Sequence, residues 1–209
     1  MNTANIFTLL RIILAPVFFV IYMLLRRFSE QFSGEQLFGI AIWIVPLLWV
    51  TAIFAELTDM FDGIAARRLN QGSDFGKLFD PFADTVMQLT GFLCFVIDGI
   101  FPAILFLVVL YREFGILFLR NLFLRKGIAM GARKSGKLKT VSYITAAAAA
   151  LFYASLKYLG ILESFQEIVK ITAIVIFGLS VLISVISFFD YLFVYRSAEK
   201  KPIQESVDN

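Results

Sequence analysis

Six long apolar runs divide this 209-residue chain, at roughly residues 6–25, 37–61, 82–100, 103–124, 141–162 and 168–195. About 20 apolar residues carry a helix across the hydrocarbon of a bilayer. In lipid a lone segment must satisfy its backbone N–H and C=O groups internally, and a helix does so. The runs therefore predict an all-α polytopic membrane protein with six transmembrane helices. Between the third and fourth runs stands only "DGIFP", where Gly99 and Pro102 break a helix. One continuous helix over 82–110 is the competing reading. A single membrane domain is expected over 1–195, with a polar, disordered tail over 196–209.

Composition removes several function classes. Charged residues make up 17% of the chain, against about 25% in soluble domains. The start "MNTANIFTLL" has no basic region and no cleavage site follows it, so no secretory signal peptide is expected. Cys94 is the only cysteine, which excludes an intrachain disulfide, and the chain has no histidine. His-based acid–base chemistry and His metal ligands are excluded with it. A net charge of +3 without a basic tract gives no reason to expect a nucleic-acid partner. The run "TAAAAALFYAS" suits close helix–helix contact through small side chains. The 24 phenylalanines suit lipid contact and internal packing.

The basic residues set the sidedness. With six spans, both termini share a side with the 62–81 and 125–140 connections. That side holds 15 of the 19 lysines and arginines, and the other holds Arg26, Arg27, Lys157 and Lys170. The rich side is expected to be cytoplasmic.

An acidic cluster falls on the same side. Asp59 and Asp62, at i, i+3, share a helical face at the end of the second run. Asp80-Pro81 is expected to start the third helix, Asp80 as its cap. Asp84 follows one turn later on the same face. If the two segments pack together, four carboxylates converge, and their repulsion calls for divalent cations. Oxygen-only ligands suit Mg²⁺, Mn²⁺ or Ca²⁺, and two ions about 4 Å apart would clamp a phosphate. Gly63 and Ala66 keep the neighbouring face clear, Gly76 suits a loop passing close to a neighbour, and Arg67 can pair with phosphate. Ion-pathway acids and plain helix caps are the bland alternatives for any one of these residues.

The whole string D-x2-D-G-x2-A-R-x8-G-x3-D-x3-D, from Asp59 to Asp84, resembles the signature of the CDP-alcohol phosphatidyltransferase family at every position. The resemblance implies that Asp59, Asp62, Asp80 and Asp84 hold two ions, Mg²⁺ or Mn²⁺, with Asp84 also the general base. It implies that Gly63, Ala66, Arg67, Ser73 and Gly76 meet the CDP moiety. Two more stretches are similar to the bacterial phosphatidylglycerophosphate synthases of that family. One is N-x2-T-x2-R at Asn5, Thr8 and Arg11. The other runs over 111–140, with Arg112, Glu113, Arg120, Gly136, Lys137, Lys139 and Thr140 in the matching places.

The expected activity is transfer of the phosphatidyl group from CDP-diacylglycerol to sn-glycerol 3-phosphate, by an active site at the cytoplasmic face of a bacterial inner membrane. Arg112, Arg120, Lys137 and Lys139 would hold the acceptor phosphate, while Arg125, Lys126 and Lys134 suit anchoring to anionic lipid. The resemblance implies a homodimer. Other acceptors (inositol phosphate, phosphatidylglycerol, serine, choline) are the alternatives within the family. A cation transporter is the alternative outside it, disfavoured because the acids lie at segment ends rather than at mid-membrane. Glu56, Asp98 and Asp190 carry no assigned role; Asp98 is expected at an outer turn and Asp190 at the interface.

Overall fold

In the computed structural model, backbone is described for residues 3–69, 74–125 and 134–199, and side chains for 8–58, 79–123 and 135–196. All of the described secondary structure is helical. The helices are α1 (Thr3–Gln31), α2 (Gly34–Leu69), α3 (Asp74–Ile97), α4 (Ala103–Arg125), α5 (Lys134–Leu159) and α6 (Glu163–Glu199). Each corresponds to one of the six apolar runs, although α3 ends at Ile97 and α5 at Leu159, short of the ends of theirs. Among the described residues, three stretches are long and apolar enough by themselves to cross a membrane: Thr8–Gln31, Gly34–Thr58 and Glu163–Arg196. The other three helices carry Asp80 and Asp84, then Arg112, Glu113 and Arg120, then Lys137, Lys139 and Lys157, which lower their hydropathy.

Cross-helix bonds give the helix directions. Thr8 on α1 meets Asp80 on α3, and about four turns later Tyr22 meets Asp98 beyond the end of α3, so α1 and α3 run parallel. Ser135 meets Asp190, Tyr143 meets Ser184, and Ser180 donates to the carbonyl of Ser142, so α5 and α6 run antiparallel. Short connections enforce the alternation. Gly34 and Gly160 adopt φ of +58° and +63°, a region that costs glycine nothing. At "DGIFP" Gly99 takes φ +71°, and the amides of Ile100 and Phe101 both turn back to the carbonyl of Phe95. The continuous 82–110 helix is thereby excluded.

Three boundaries differ from the sequence reading. α3 begins at Asp74, so Gly76 lies in a helix rather than in a loop. Asp80 consequently sits inside α3 and does not cap it; Pro81 removes one intrahelical bond without ending the helix. α6 continues to Glu199, so the expected break at 195/196 falls within it.

The core is built from small and aromatic side chains. Ala146, Ala150 and Ala154 are buried on α5, which lets α6 approach closely. Phe101 stacks on Phe177 at 3.9 Å between centroids, and Phe92 meets Phe177 and Tyr143 edge-on. The outside is the reverse of a soluble protein's: Trp43, Tyr111, Phe118, Ile186 and Phe193 are all more than half exposed. Such a continuous apolar exterior is stable only against lipid.

Candidate active site

α1 delivers two polar side chains to α3. Thr8 and Arg11, three residues apart, face one way because 3.6 residues make a turn. Asp80 and Asp84, four apart, face back. The Thr8 hydroxyl donates to Asp80 Oδ1 at 2.5 Å, and Arg11 Nη1 donates to Asp84 Oδ1. Thr8 and Arg11 are buried, whereas the Asp84 side chain keeps 36% of its surface open. That open side is the wall of a cavity of about 240 Å³ between α1, α2, α3, α4, α5 and α6.

The same cavity is lined by Arg112 and Arg120 from α4 and by Lys137 and Lys139 from the start of α5. All four predicted acceptor-binding cations are thus brought together with Asp84. They are not equivalent. Glu113, 3% exposed, accepts from Arg112 Nη1 at 2.7 Å and from Lys139 Nζ at 3.3 Å. Arg112 also donates from Nε to the Ser184 carbonyl at 3.1 Å and from Nη2 to Ser187 Oγ at 3.3 Å. A buried guanidinium tolerates its desolvation only with such a full set of partners. Lys139 reaches Gln88 as well, at 3.5 Å. Arg120 and Lys137, by contrast, make no hydrogen bond or ion pair among the described residues, and the Nε of Arg120 is buried without a partner. The described lining carries five cations (Arg11, Arg112, Arg120, Lys137, Lys139) and three anions (Glu56, Asp84, Glu113). The surplus is positive and is concentrated on Arg120 and Lys137, as an anion-binding cavity needs.

Gly136 has a local reason to be glycine. A Cβ there would stand 2.9 Å from the Tyr191 hydroxyl, closer than real Cβ contacts come. Tyr191 itself lines the cavity and is held in a small cluster with Ile116 and Leu119. The approach of α5 to α6 at this end therefore determines the cavity's shape.

The remaining predicted site residues fall elsewhere. The side chains of Asp59, Asp62, Gly63, Ala66, Arg67 and Gly76, and Ser73 altogether, lie outside the described residues, as do the side chains of Arg125, Lys126 and Lys134. The α2 backbone is helical through 59 and 62, as the i, i+3 reading requires. No group of three or more potential metal ligands occurs among the described residues, which include only Asp80 and Asp84 of the proposed four. These two fit a hard divalent cation: both are carboxylates one turn apart on α3, and Asp84 lines the open cavity.

Sequence reasoning quoted Thr8, Arg11 and Glu113 but gave them no role. Their signal was polarity inside an apolar run, where a charge is retained only with a partner. Gln88 and Tyr191 were missed, and no spacing rule would have picked them out. Asp190 accepts from Ser135 at 2.7 Å and so ties α6 to α5 beside the site.

The model of one protein family, CDP-alcohol phosphatidyltransferase, matches residues 1–186. A CDP-diacylglycerol–glycerol-3-phosphate 3-phosphatidyltransferase of Treponema pallidum is 37% identical over 92% of this chain and 88% of its own length. The enzyme of the same name from Bacillus subtilis is 32% identical over 73% of this chain and 77% of its own. A probable phosphatidylglycerophosphate synthase of Mycobacterium tuberculosis is 31% identical, covering 91% and 80%.

Proposed function

The chain belongs to the CDP-alcohol phosphatidyltransferase family, and from that premise we propose that the cavity walled by Asp84, Arg120 and Lys137 is its active site. The protein is a CDP-diacylglycerol-dependent phosphatidyltransferase. It transfers the phosphatidyl group to sn-glycerol 3-phosphate, giving phosphatidylglycerophosphate and CMP. The observation that carries the site assignment is the meeting of Asp84, in one cavity, with two cations that have no ion-pair partner among the described residues.

In this reading Arg120 and Lys137 take the phosphate of glycerol 3-phosphate. Arg112 and Lys139, held by Glu113, form the fixed wall behind it. Asp84 accepts the proton of the 1-hydroxyl while that oxygen attacks the phosphorus bearing diacylglycerol. The bond from this phosphorus to the CMP oxygen breaks, and CMP leaves with the electron pair. Positioning and charge complementarity provide most of the acceleration. Asp59, Asp62, Asp80 and Asp84 would hold two Mg²⁺ or Mn²⁺ ions, whose chemistry is neutralisation of the pyrophosphate charge. Gly63, Ala66, Arg67, Ser73 and Gly76 line the CDP side in the same reading.

All six helices span the membrane in this proposal, with the cavity at the cytoplasmic face of a bacterial inner membrane. Support comes from Asp84, Arg112, Glu113 and Lys139 lining the internal cavity, while Tyr111, Phe114 and Phe118 of α4 and Val141 of α5 are exposed on the outside. The distribution of basic residues supports the orientation. A homodimer belongs to the proposal through the family resemblance, and cross-linking in native membranes tests it.

The deciding assay supplies CDP-diacylglycerol with a panel of alcohols to the purified protein and follows CMP and the lipid product. Glycerol 3-phosphate is the acceptor expected to react. Chelation is expected to stop the reaction and Mg²⁺ or Mn²⁺ to restore it. Full activity after thorough chelation rejects the metal assignment, and a preference for inositol phosphate rejects the acceptor.

A further inference from the structure

The acceptor is chiral. Glycerol 3-phosphate and its mirror image present the same phosphate and the same primary hydroxyl, and they differ in which side of C2 carries the secondary hydroxyl. Asp84 on one wall, with Arg120 and Lys137 on the other, accounts for the two ends only. A further contact at C2 is needed to tell the two forms apart.

Among the described residues, the neutral polar side chains lining the active-site cavity are Thr85, Gln88, Thr140 and Tyr191. The first three are engaged. Thr85 donates to the Pro81 carbonyl at 2.8 Å, Thr140 donates to the Gly136 carbonyl at 3.2 Å, and Gln88 Oε1 accepts from Lys139 at 3.5 Å. The Tyr191 hydroxyl makes no hydrogen bond among the described residues, although the residue is only 4% exposed. A phenol that deep is kept at a cost unless something satisfies its hydroxyl.

Its placement is fixed from two sides. The ring packs on Ile116 and Leu119 of α4, and Leu119 adjoins Arg120. The hydroxyl stands at Gly136, which adjoins Lys137, and has room there because glycine carries no Cβ. It is therefore held beside the two phosphate-binding cations, on the wall that the middle of the acceptor must pass. The phosphate charge is matched by those cations and can only accept. A neutral secondary alcohol both donates and accepts, as a phenol does.

We propose that Tyr191 reads the 2-hydroxyl of glycerol 3-phosphate, and so determines which acceptor and which enantiomer react; the inference rests on the phosphatidyltransferase reading. Discrimination follows because an acceptor without a hydroxyl at that place leaves the buried phenol unsatisfied.

The test removes each hydroxyl in turn. Tyr191→Phe keeps the ring and its packing. The acceptors are sn-glycerol 3-phosphate, sn-glycerol 1-phosphate and propane-1,3-diol monophosphate, which lacks the 2-hydroxyl. Each is varied against CDP-diacylglycerol in mixed micelles, and CMP and the lipid product are followed. Tyr191→Phe is expected to lower kcat/KM for sn-glycerol 3-phosphate about tenfold. The value for propane-1,3-diol monophosphate stays within about twofold, so the two deletions do not add. The preference for the 3-phosphate over the 1-phosphate narrows about tenfold as well. Equal losses on the diol phosphate and on glycerol 3-phosphate would mean that Tyr191 meets the phosphate or only shapes the wall, and they overturn the proposal. So does the absence of any loss.

An independent arm needs no turnover. Radiolabelled sn-glycerol 3-phosphate is bound to the full-length protein and competed by each unlabelled acceptor, in wild type and Tyr191→Phe. The same pattern is expected in Kd. If the wild type releases no CMP with any acceptor, the phosphatidyltransferase reading fails, and the competition series still decides Tyr191. If glycerol 3-phosphate does not bind at all, the proposal falls with that reading.

Discussion

The two ends of the helix bundle use the same residue types to opposite ends. Away from the active site, the Asp98 side chain is 3% exposed and well matched: Lys157 Nζ stands at 2.6 Å, the Tyr22 hydroxyl at 2.8 Å and Arg26 Nε at 4.0 Å. This closes a knot between α1, α5 and the α3–α4 turn. At the other end Glu113 engages Arg112 and Lys139, Asp84 engages Arg11, and Arg120 and Lys137 are left beside an open cavity. A buried charge by itself is therefore no sign of function. Charge that the fold leaves uncompensated around an open volume is the informative feature.

The largest expected effect separates the ends by chemistry. Asp84→Asn is expected to lower kcat by about 10²–10⁴-fold through loss of general-base action, with far-UV circular dichroism unchanged. A purified variant that keeps more than a tenth of the wild-type rate removes Asp84 from that role.

The matching change at the closed end acts on stability. Asp98→Asn leaves Lys157 and Arg26, each 36% exposed, without their carboxylate, and loss of the charge-assisted contact costs about 1.5–3 kcal/mol. A clear fall in Tm in detergent is expected, with kcat of the folded fraction close to wild type. An intact Tm with lost turnover reverses the comparison.

Within the active end, the unpaired and paired cations are expected to part company. Arg120→Gln and Lys137→Gln each remove a charge-assisted contact of about 1.5–3 kcal/mol. KM for glycerol 3-phosphate should rise about 10- to 150-fold, with KM for CDP-diacylglycerol little changed. Arg112→Gln leaves Glu113 with Lys139 alone and should lower Tm as well. If all three variants behave alike in both assays, Glu113 does not divide the cations.

Two smaller changes sharpen the picture. Gly136→Ala pushes the Tyr191 hydroxyl aside, and a severalfold rise in acceptor KM is expected from its displacement at the cavity wall, on the scale of an overpacking strain of about 1 kcal/mol. Arg27→Gln removes the exposed pair with Glu30 at 3.0 Å, and a change within about 0.5 kcal/mol is expected in a denaturation series.

Helix number, helix type and the clustering of basic residues were legible in the sequence, because apolar length and periodicity are local properties. The break at Gly99 and Pro102 was legible for the same reason. The caps were not. Asp80-Pro81 reads as a helix start, yet α3 begins at Asp74, since helical propagation through residues 74–79 outweighs the single bond that Pro81 removes. In the site, the i, i+3 and i, i+4 spacings of Thr8, Arg11, Asp80 and Asp84 showed that each pair shares a face. They did not show that the two faces meet.

The sequence by itself determined an all-helical chain with long apolar spans, a family signature in its acidic stretch, and cations enough for an anionic partner. Only the tertiary structure decided which of those cations are available. Glu113 adjoins Arg112 in sequence but lies 26 residues from Lys139, and it joins them only because α4 and α5 pack side by side. Likewise Asp98 is a turn residue by sequence and a buried anchor in the fold, because Lys157 and Tyr22 come from helices 59 and 76 residues away. Which charges neutralise one another depends on distances of a few ångströms between distant segments, and local spacing along a chain carries no record of them.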